Sequence, residues 1–259
     1  MGRGKPDHVI QSAVTDAAGR MKQIAAYRAC PCQVGVERDG RREGRTPRRL
    51  GKISGKVEAL GHFLAEHGSK VSFEAKPTID FELNFQLHQM LMWSLTSVGL
   101  SDDEYMQARQ LTDIIPPEDT TCLANAARAR VLSHKDWLLY NNQREILRYE
   151  WRKFFQDWDI ILCPAYSIPA FPHDHRPFEQ REHCVDGASQ EYFQPMFWAG
   201  ISTPCYLPCT VFPAGLSLDA MPIGLQAISA EYNDYISIDF VRLLTHHLGG
   251  FILPDAFEL

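Results

Sequence analysis

Apolar residues recur at helical spacing from Ile53, with Val57, Leu60 and Leu64 on one side and Gly68 placed to stop the turn. Lys70 to Glu74 then alternates Val71 and Phe73 with polar residues, so the pattern reads as a helix followed by a short strand. A second helix is predicted over Phe81 to Val98, with Leu83, Leu87, Met90, Leu91 and Leu95 on its buried side and Gly99 at its end. Ser101 and Glu104 have the spacing of a capping box, which starts a helix at Asp102 and carries it to about Asp113, before Pro116-Pro117. The longest helical stretch runs from Leu123 to Asp157, broken near Ser133, where Ser133 and Asp136 suit a new start. Its second half carries Leu138, Leu139, Ile146, Leu147, Trp151, Phe154 and Phe155 between charged residues of both signs. That mixture argues for packing on a sheet rather than lying on a membrane surface.

Ile160, Ile161, Leu162 and Cys163 form an unbroken apolar run, the mark of a strand covered on both faces. Pro164 and Pro169 are expected to bound a loop, because proline lacks the donor that a central strand needs, and residues 170–190 read as loop throughout. A short helix over Pro195 to Gly200 follows. Two strands, Tyr206 to Val211 and Ile223 to Ile228, are joined through Gly215. A last helix, Asp234 to Leu248, ends at Gly249-Gly250. The class is α/β, part of a mixed β-sheet flanked by helices.

Charge divides this picture. The net charge is −6, yet residues 1–55 hold 12 Lys and Arg against 5 Asp and Glu. Residues 1–51 show little periodicity, and the run from Arg41 to Arg49 mixes like charges with Gly and Pro, which favours a solvated, disordered segment. We expect two pieces: a basic N-terminal segment 1–51, unrelated to the body, and a folded body 52–259. The arginine run also raises a nucleic-acid reading, but no aromatic stacking residues or groove-entering helix accompany it, so nucleic acid is not the expected partner.

Candidate chemistry changes the picture less. Seven cysteines, odd in number and partly within apolar runs, fit reduced packed thiols, and with no apolar run long enough to span a bilayer and no signal-peptide core behind Met1 they point to the cytoplasm and to no membrane. Cys30-Pro-Cys32 has no second ligand pair, and His173, Asp174, His175, His183 and Cys184 sit on a loop. Neither set implies a metal, and no cofactor is implied. Cys205 and Cys209 lack redox-motif spacing, and Cys163 has no base near it in sequence.

One ordered set of motifs carries more. Arg148, Trp151, Phe154 and Phe155 precede Asp159-Ile-Ile-Leu-Cys-Pro164, and Pro169-Ala-Phe171 and His173-Asp174 follow. After them come Tyr206-Leu-Pro208, Val211, Pro213, Pro222-Ile-Gly-Leu-Gln226 and Gly249-Gly-Phe251. In that order they resemble the C-terminal half of an amidase signature enzyme, with a weaker likeness back through Lys56 to Asp80. One departure is Ala220-Met221, where that family usually shows Gly-Leu. The resemblance implies a hydrolase of small-molecule carboxylic amides on a helix-flanked mixed sheet, with a serine nucleophile, a second serine and a lysine base in a Gly/Ser-rich region and a lysine region upstream. Neither region is found: the one Gly-Gly pair, Gly249-Gly250, has no serine beside it. The expectation is therefore an incomplete, truncated domain that does not hydrolyse amides alone, with no catalytic residue. Cys163, Pro164, Trp198 and Gly200 would serve as substrate-binding pocket wall. Half a domain should also leave apolar surface for self-association. A non-catalytic interaction or scaffold protein, and a nucleic-acid binder through Arg41 to Arg49, are the alternatives.

Overall fold

The computed structural model describes residues 23–26, 53–185 and 187–253. In chain order the elements are strand β1 (Gln23–Ala26), helix α1 (Ser54–Glu66), strand β2 (Lys70–Ser72), then helices α2 (Phe81–Thr96), α3 (Asp102–Ile114), α4 (Cys122–Arg130) and α5 (His134–Phe154). Strand β3 (Ile160–Pro164), a hairpin of β4 (Glu182–Val185) and β5 (Ala188–Glu191), and the short helix α6 (Ala199–Ser202) follow. Strands β6 (Cys209–Leu216) and β7 (Pro222–Ile228) and helix α7 (Asp234–Leu248) complete the described chain. Two compact units divide these residues. The first takes residues up to Pro77, Arg152–Ala170 and those from Leu207 onward; the second takes Thr78–Trp151 and Phe171–Tyr206.

The first unit is built on a five-stranded mixed sheet in the order β2-β1-β3-β7-β6. β1 runs parallel to both β2 and β3, whereas β7 is antiparallel to β3 and to β6. Alternate side chains Ile24, Ala26, Ile160, Leu162, Ile223, Leu225 and Ala227 share a core with Val57, Leu60 and Leu64 of α1 and with Phe240 and Leu244 of α7. The intervening Ala25, Ile161 and Cys163 are buried too, as the unbroken apolar run of β3 requires. Where the chain enters β3, a polar corner locks the register. Asp159 Oδ2 accepts from the Gln23 amide at 2.7 Å, the Asp159 amide donates to the Gln23 carbonyl at 2.9 Å, and Lys70 Nζ donates to Gln23 Oε1 at 2.9 Å while lying over the Trp158 ring.

The second unit is mostly helical. Asp80 caps α2 by accepting from the Glu82 and Leu83 amides, and the Ser101–Glu104 capping box is present at the start of α3. The break at Ser133 is real: its hydroxyl accepts from the Asp136 amide at 3.1 Å and begins α5. Rings join the core of this unit, with Phe81 edge-on to Trp151 and Phe85 edge-on to Phe197.

Several expectations are corrected. Residues 23–26, expected to show no pattern, form β1, which lies between β2 and β3; four residues with three apolar in a row are too short to show a period. The Arg41 to Arg49 run and Cys30-Pro-Cys32 lie outside the described residues. Pro164 ends β3 instead of starting a loop, because at the last strand position its carbonyl is used and its missing donor is not needed. The loop over 170–190 contains the β4–β5 hairpin, turned at Gly187 with φ of 86°. β6 begins at Cys209, not Tyr206, since Tyr206 takes a left-handed conformation, φ 57°, that no strand continues. On α2 the buried side is Phe81, Asn84, Phe85 and His88 with Leu87 and Met90, while Leu83 and Leu95 face outward.

Removing the corner carboxylate isolates its contribution. Asp159→Ala is expected to cost about 2 kcal/mol, the usual scale for a charged acceptor of a backbone donor. Urea unfolding measures this; an unchanged midpoint would mean that β1 is held by its ladder alone.

Candidate functional site

The residues expected to wall a pocket fall into two pairs, one in each unit. Cys163 and Pro164 close β3 in the first unit, and Trp198 and Gly200 open α6 in the second. All four are buried, Cys163 at 0% exposure and Trp198 at 1%.

Around Cys163 the organising side chain is Gln226, which lies opposite it in the β3–β7 register. Gln226 Nε2 donates to the Pro164 carbonyl at 2.9 Å and to Cys163 Sγ at 3.2 Å, while Cys209 Sγ donates to Gln226 Oε1 at 2.9 Å. Both ends of a buried amide are thereby satisfied, and the end of β3 is pinned. After the strand, the Ala165 amide donates to the Gly224 carbonyl at 3.2 Å. Burial, and then the nearby Cys209, push the Cys163 thiol far above its ordinary range, with Gln226 only partly offsetting them. Such a thiol stays protonated and is a packing group, not a nucleophile.

The second pair is held by α2. Asn84 Nδ2 donates to the Gly200 carbonyl at 2.8 Å, and a Cβ on Gly200 would meet the His88 ring at 3.0 Å and the Phe85 ring at 3.3 Å. A side chain at this position would force the buried His88 and Phe85 rings to give by a few tenths of an ångström. The Trp198 ring stands edge-on to Phe197 at 5.3 Å. His88 Nε2 is buried with no hydrogen-bond partner among the described residues, and burial pulls its pKa down to about 4, so the ring is neutral at pH 7. A third polar knot lies on α4. Gln89 Nε2 donates to Cys122 Sγ at 2.9 Å, Asn125 Nδ2 donates to Gln89 Oε1 at 2.7 Å, and the Cys122 amide donates to Glu191 at 3.1 Å. Burial first and the Glu191 charge second push the Cys122 thiol up to about 12.

The histidine-rich loop is engaged elsewhere. Asp174 is gripped by Arg176, whose hydrogen bonds bring its carboxyl down to about 2, and the His183 ring packs against both Phe171 and Tyr192. Among the described residues no group of three or more His, Cys, Asp and Glu side chains is placed to hold a metal ion. Sequence reasoning missed Asn84, His88 and Gln226 as organising residues. Their signal was present as a polar residue at a position whose neighbours by period are apolar.

The neutral His88 sets a pH dependence. Its folded pKa lies below the unfolded value near 6.5, so its contribution is intact above pH ~6.5 and is lost as pH falls toward about 4. The loss approaches about 3 kcal/mol. His88→Leu is expected to flatten the stability profile over that window, read by urea melts at successive pH values; an unchanged slope would remove His88 as its source.

Comparison with known proteins bears on these residues. The amidase family model matches residues 115–236. Indoleacetamide hydrolase of Bradyrhizobium diazoefficiens is 29% identical over 129 residues, covering 48% of this chain and 22% of that protein. Human fatty-acid amide hydrolase 2 is 23% identical over 125 residues, covering 48% of this chain and 21% of that one. The chain thus spans less than a quarter of the length of these two relatives. A bacterial aryl acylamidase of the amidase signature family shares the fold with a TM-score of 0.57 at 15% identity, over 95% of this chain and 46% of that structure. The match begins before α4 and closes within α7, so it takes in β3, the β4–β5 hairpin, α6, β6 and β7. Residues 115–236 thus match the amidase family model, and the chain shares an α/β fold with amidase signature enzymes.

Proposed function

We propose that this chain supplies the non-catalytic, C-terminal portion of a cytoplasmic hydrolase of small-molecule carboxylic amides, truncated with respect to the chemistry, and that it does not turn over amides alone. The observation that carries this reading is a conjunction. The amidase match covers residues 115–236, while the sequence holds no Gly/Ser-rich stretch in which an activated serine and its oxyanion donors would lie. Relatives named as indoleacetamide and fatty-acid amide hydrolases support the substrate class. Cys163 and Pro164 in the first unit, and Trp198 and Gly200 in the second, are taken in this reading as substrate-binding pocket wall; all four are buried, so each pair acts by setting the backbone of its own unit. Among the described residues no helix is long and apolar enough to cross a membrane. No metal or cofactor has a part in the reaction proposed.

Serine-based amide hydrolysis needs a hydroxyl whose proton is taken by a neighbouring base, and the buried thiols here are held protonated. Purified chain incubated with a panel of aryl and aliphatic amides is expected to show no turnover above buffer. Activity that disappears when one of its own serines is replaced would overturn the reading.

Self-association belongs to the same proposal. Leu95 and Ile114, about three quarters exposed, and Ile146 offer apolar surface on α2, α3 and α5. Sedimentation velocity is expected to show concentration-dependent association. A monomer across the whole concentration range would count against it.

A further inference from the structure

We propose that Arg144, on α5, is the anchor of an oxyanion-binding site in the second unit, one that takes a carboxylate or a phosphate group and is independent of amide hydrolysis. Two guanidinium groups from successive turns of α5 lie over one aromatic ring: Arg144 at 4.7 Å and Arg148 at 4.9 Å from the centre of Tyr206. Their charges are treated differently. Arg148 Nη1 donates to both carboxylate oxygens of Glu145 at 2.8 Å, so that cation is answered within its own helix. Arg144 donates only to a neutral acceptor, Asn141 Oδ1, and no carboxylate among the described residues pairs with it. Its Nε is buried and has no acceptor among those residues. A guanidinium that meets no carboxylate among the described residues, with a buried donor unmet by them, is a group that a bound anion would satisfy.

The platform beneath it points the same way. Tyr206 is a non-glycine residue in the left-handed region, φ 57° and ψ 30°, following a 3-10 turn, and about half of it is exposed. Residues held in that conformation cluster where a ligand is clamped. A guanidinium lying over a ring spends its face on the ring and keeps its in-plane N–H edge for hydrogen bonding. That edge matches the paired oxygens of a carboxylate or phosphate. Two like charges gathered on one ring, only one of them paired with a carboxylate among the described residues, also favour an incoming anion.

The test uses the whole chain and reads the Arg144 Nε–Hε signal by nitrogen-15 NMR while inorganic phosphate, acetate or chloride is added at matched ionic strength. Arg144→Lys, which keeps the charge and loses the planar fork, assigns the signal. A saturable shift with phosphate, acetate or both, absent with chloride, is the expected result. Phosphate alone would mark a phosphate-ester ligand and acetate alone a carboxylate. Calorimetric titration of Arg144→Lys is expected to show affinity at least about tenfold weaker, while Arg242→Lys, a change in an exposed pair with Asp239, leaves it unchanged. The proposal is overturned if the signal is unmoved by both oxyanions, if chloride moves it equally, or if Arg144→Lys binds as the natural chain does.

Discussion

The corner made by Gln23, Lys70, Trp158 and Asp159 is the constraint on which the first unit depends. One carboxylate and one backbone pair bring together the starts of β1 and β3, and the lysine of β2 closes on the same glutamine. Once that corner is set, β1 can pair in parallel with β2 and β3, and β3 is free on its other edge to take β7 antiparallel. The change of direction occurs at β3, whose five residues are all buried. Each face of the sheet is apolar there because neither can be left to water.

A second level of order is polar and interior. Gln226, Asn84 and the Gln89–Asn125 pair each join segments distant in sequence, and each does so with an uncharged amide that can donate and accept at once. Two of the thiols in these knots, Cys122 and Cys163, are pushed toward permanent protonation, so the cysteines that looked reactive by position behave as soft packing groups. Each knot ties together segments of its own unit. The groups that attract a chemist's eye in the sequence are those the fold has made inert.

The helices were legible because capping and period agree. Ser101–Glu104, Ser133 and Gly249 each mark a helix end, and the structure puts helix ends there. β3 was legible as an unbroken apolar run, and the family resemblance agrees with the amidase match and the shared fold. β1 was not, since its short apolar run is surrounded by residues with no pattern, and its partners lie far along the chain. The β4–β5 hairpin was hidden because its strands are short and mostly polar: only His183 and Val185 of β4 are buried, and rings such as Phe171 and Tyr192 pack beside them. On α2, Asn84 and His88 displaced Leu83 and Leu95 from the buried side, a choice made by contacts with Gly200 that no local spacing encodes. For the site, sequence order identified the segments, and tertiary contact alone revealed that Cys163, Pro164, Trp198 and Gly200 are enclosed.

The hydrogen bond from Gln23 to Asp159 joins residues 136 positions apart, and most of the second unit is strung between them. β1 and β2 are made before α2, α3, α4 and α5, and β3, the strand that pairs with the other edge of β1, is made only after those helices. The helical insert, rich in local contacts, is thus free to fold first, and the sheet is closed by a late, long-range event of the kind that slows folding. Until then β1 waits with one edge unpaired, the interval in which a nascent chain is most in need of a chaperone.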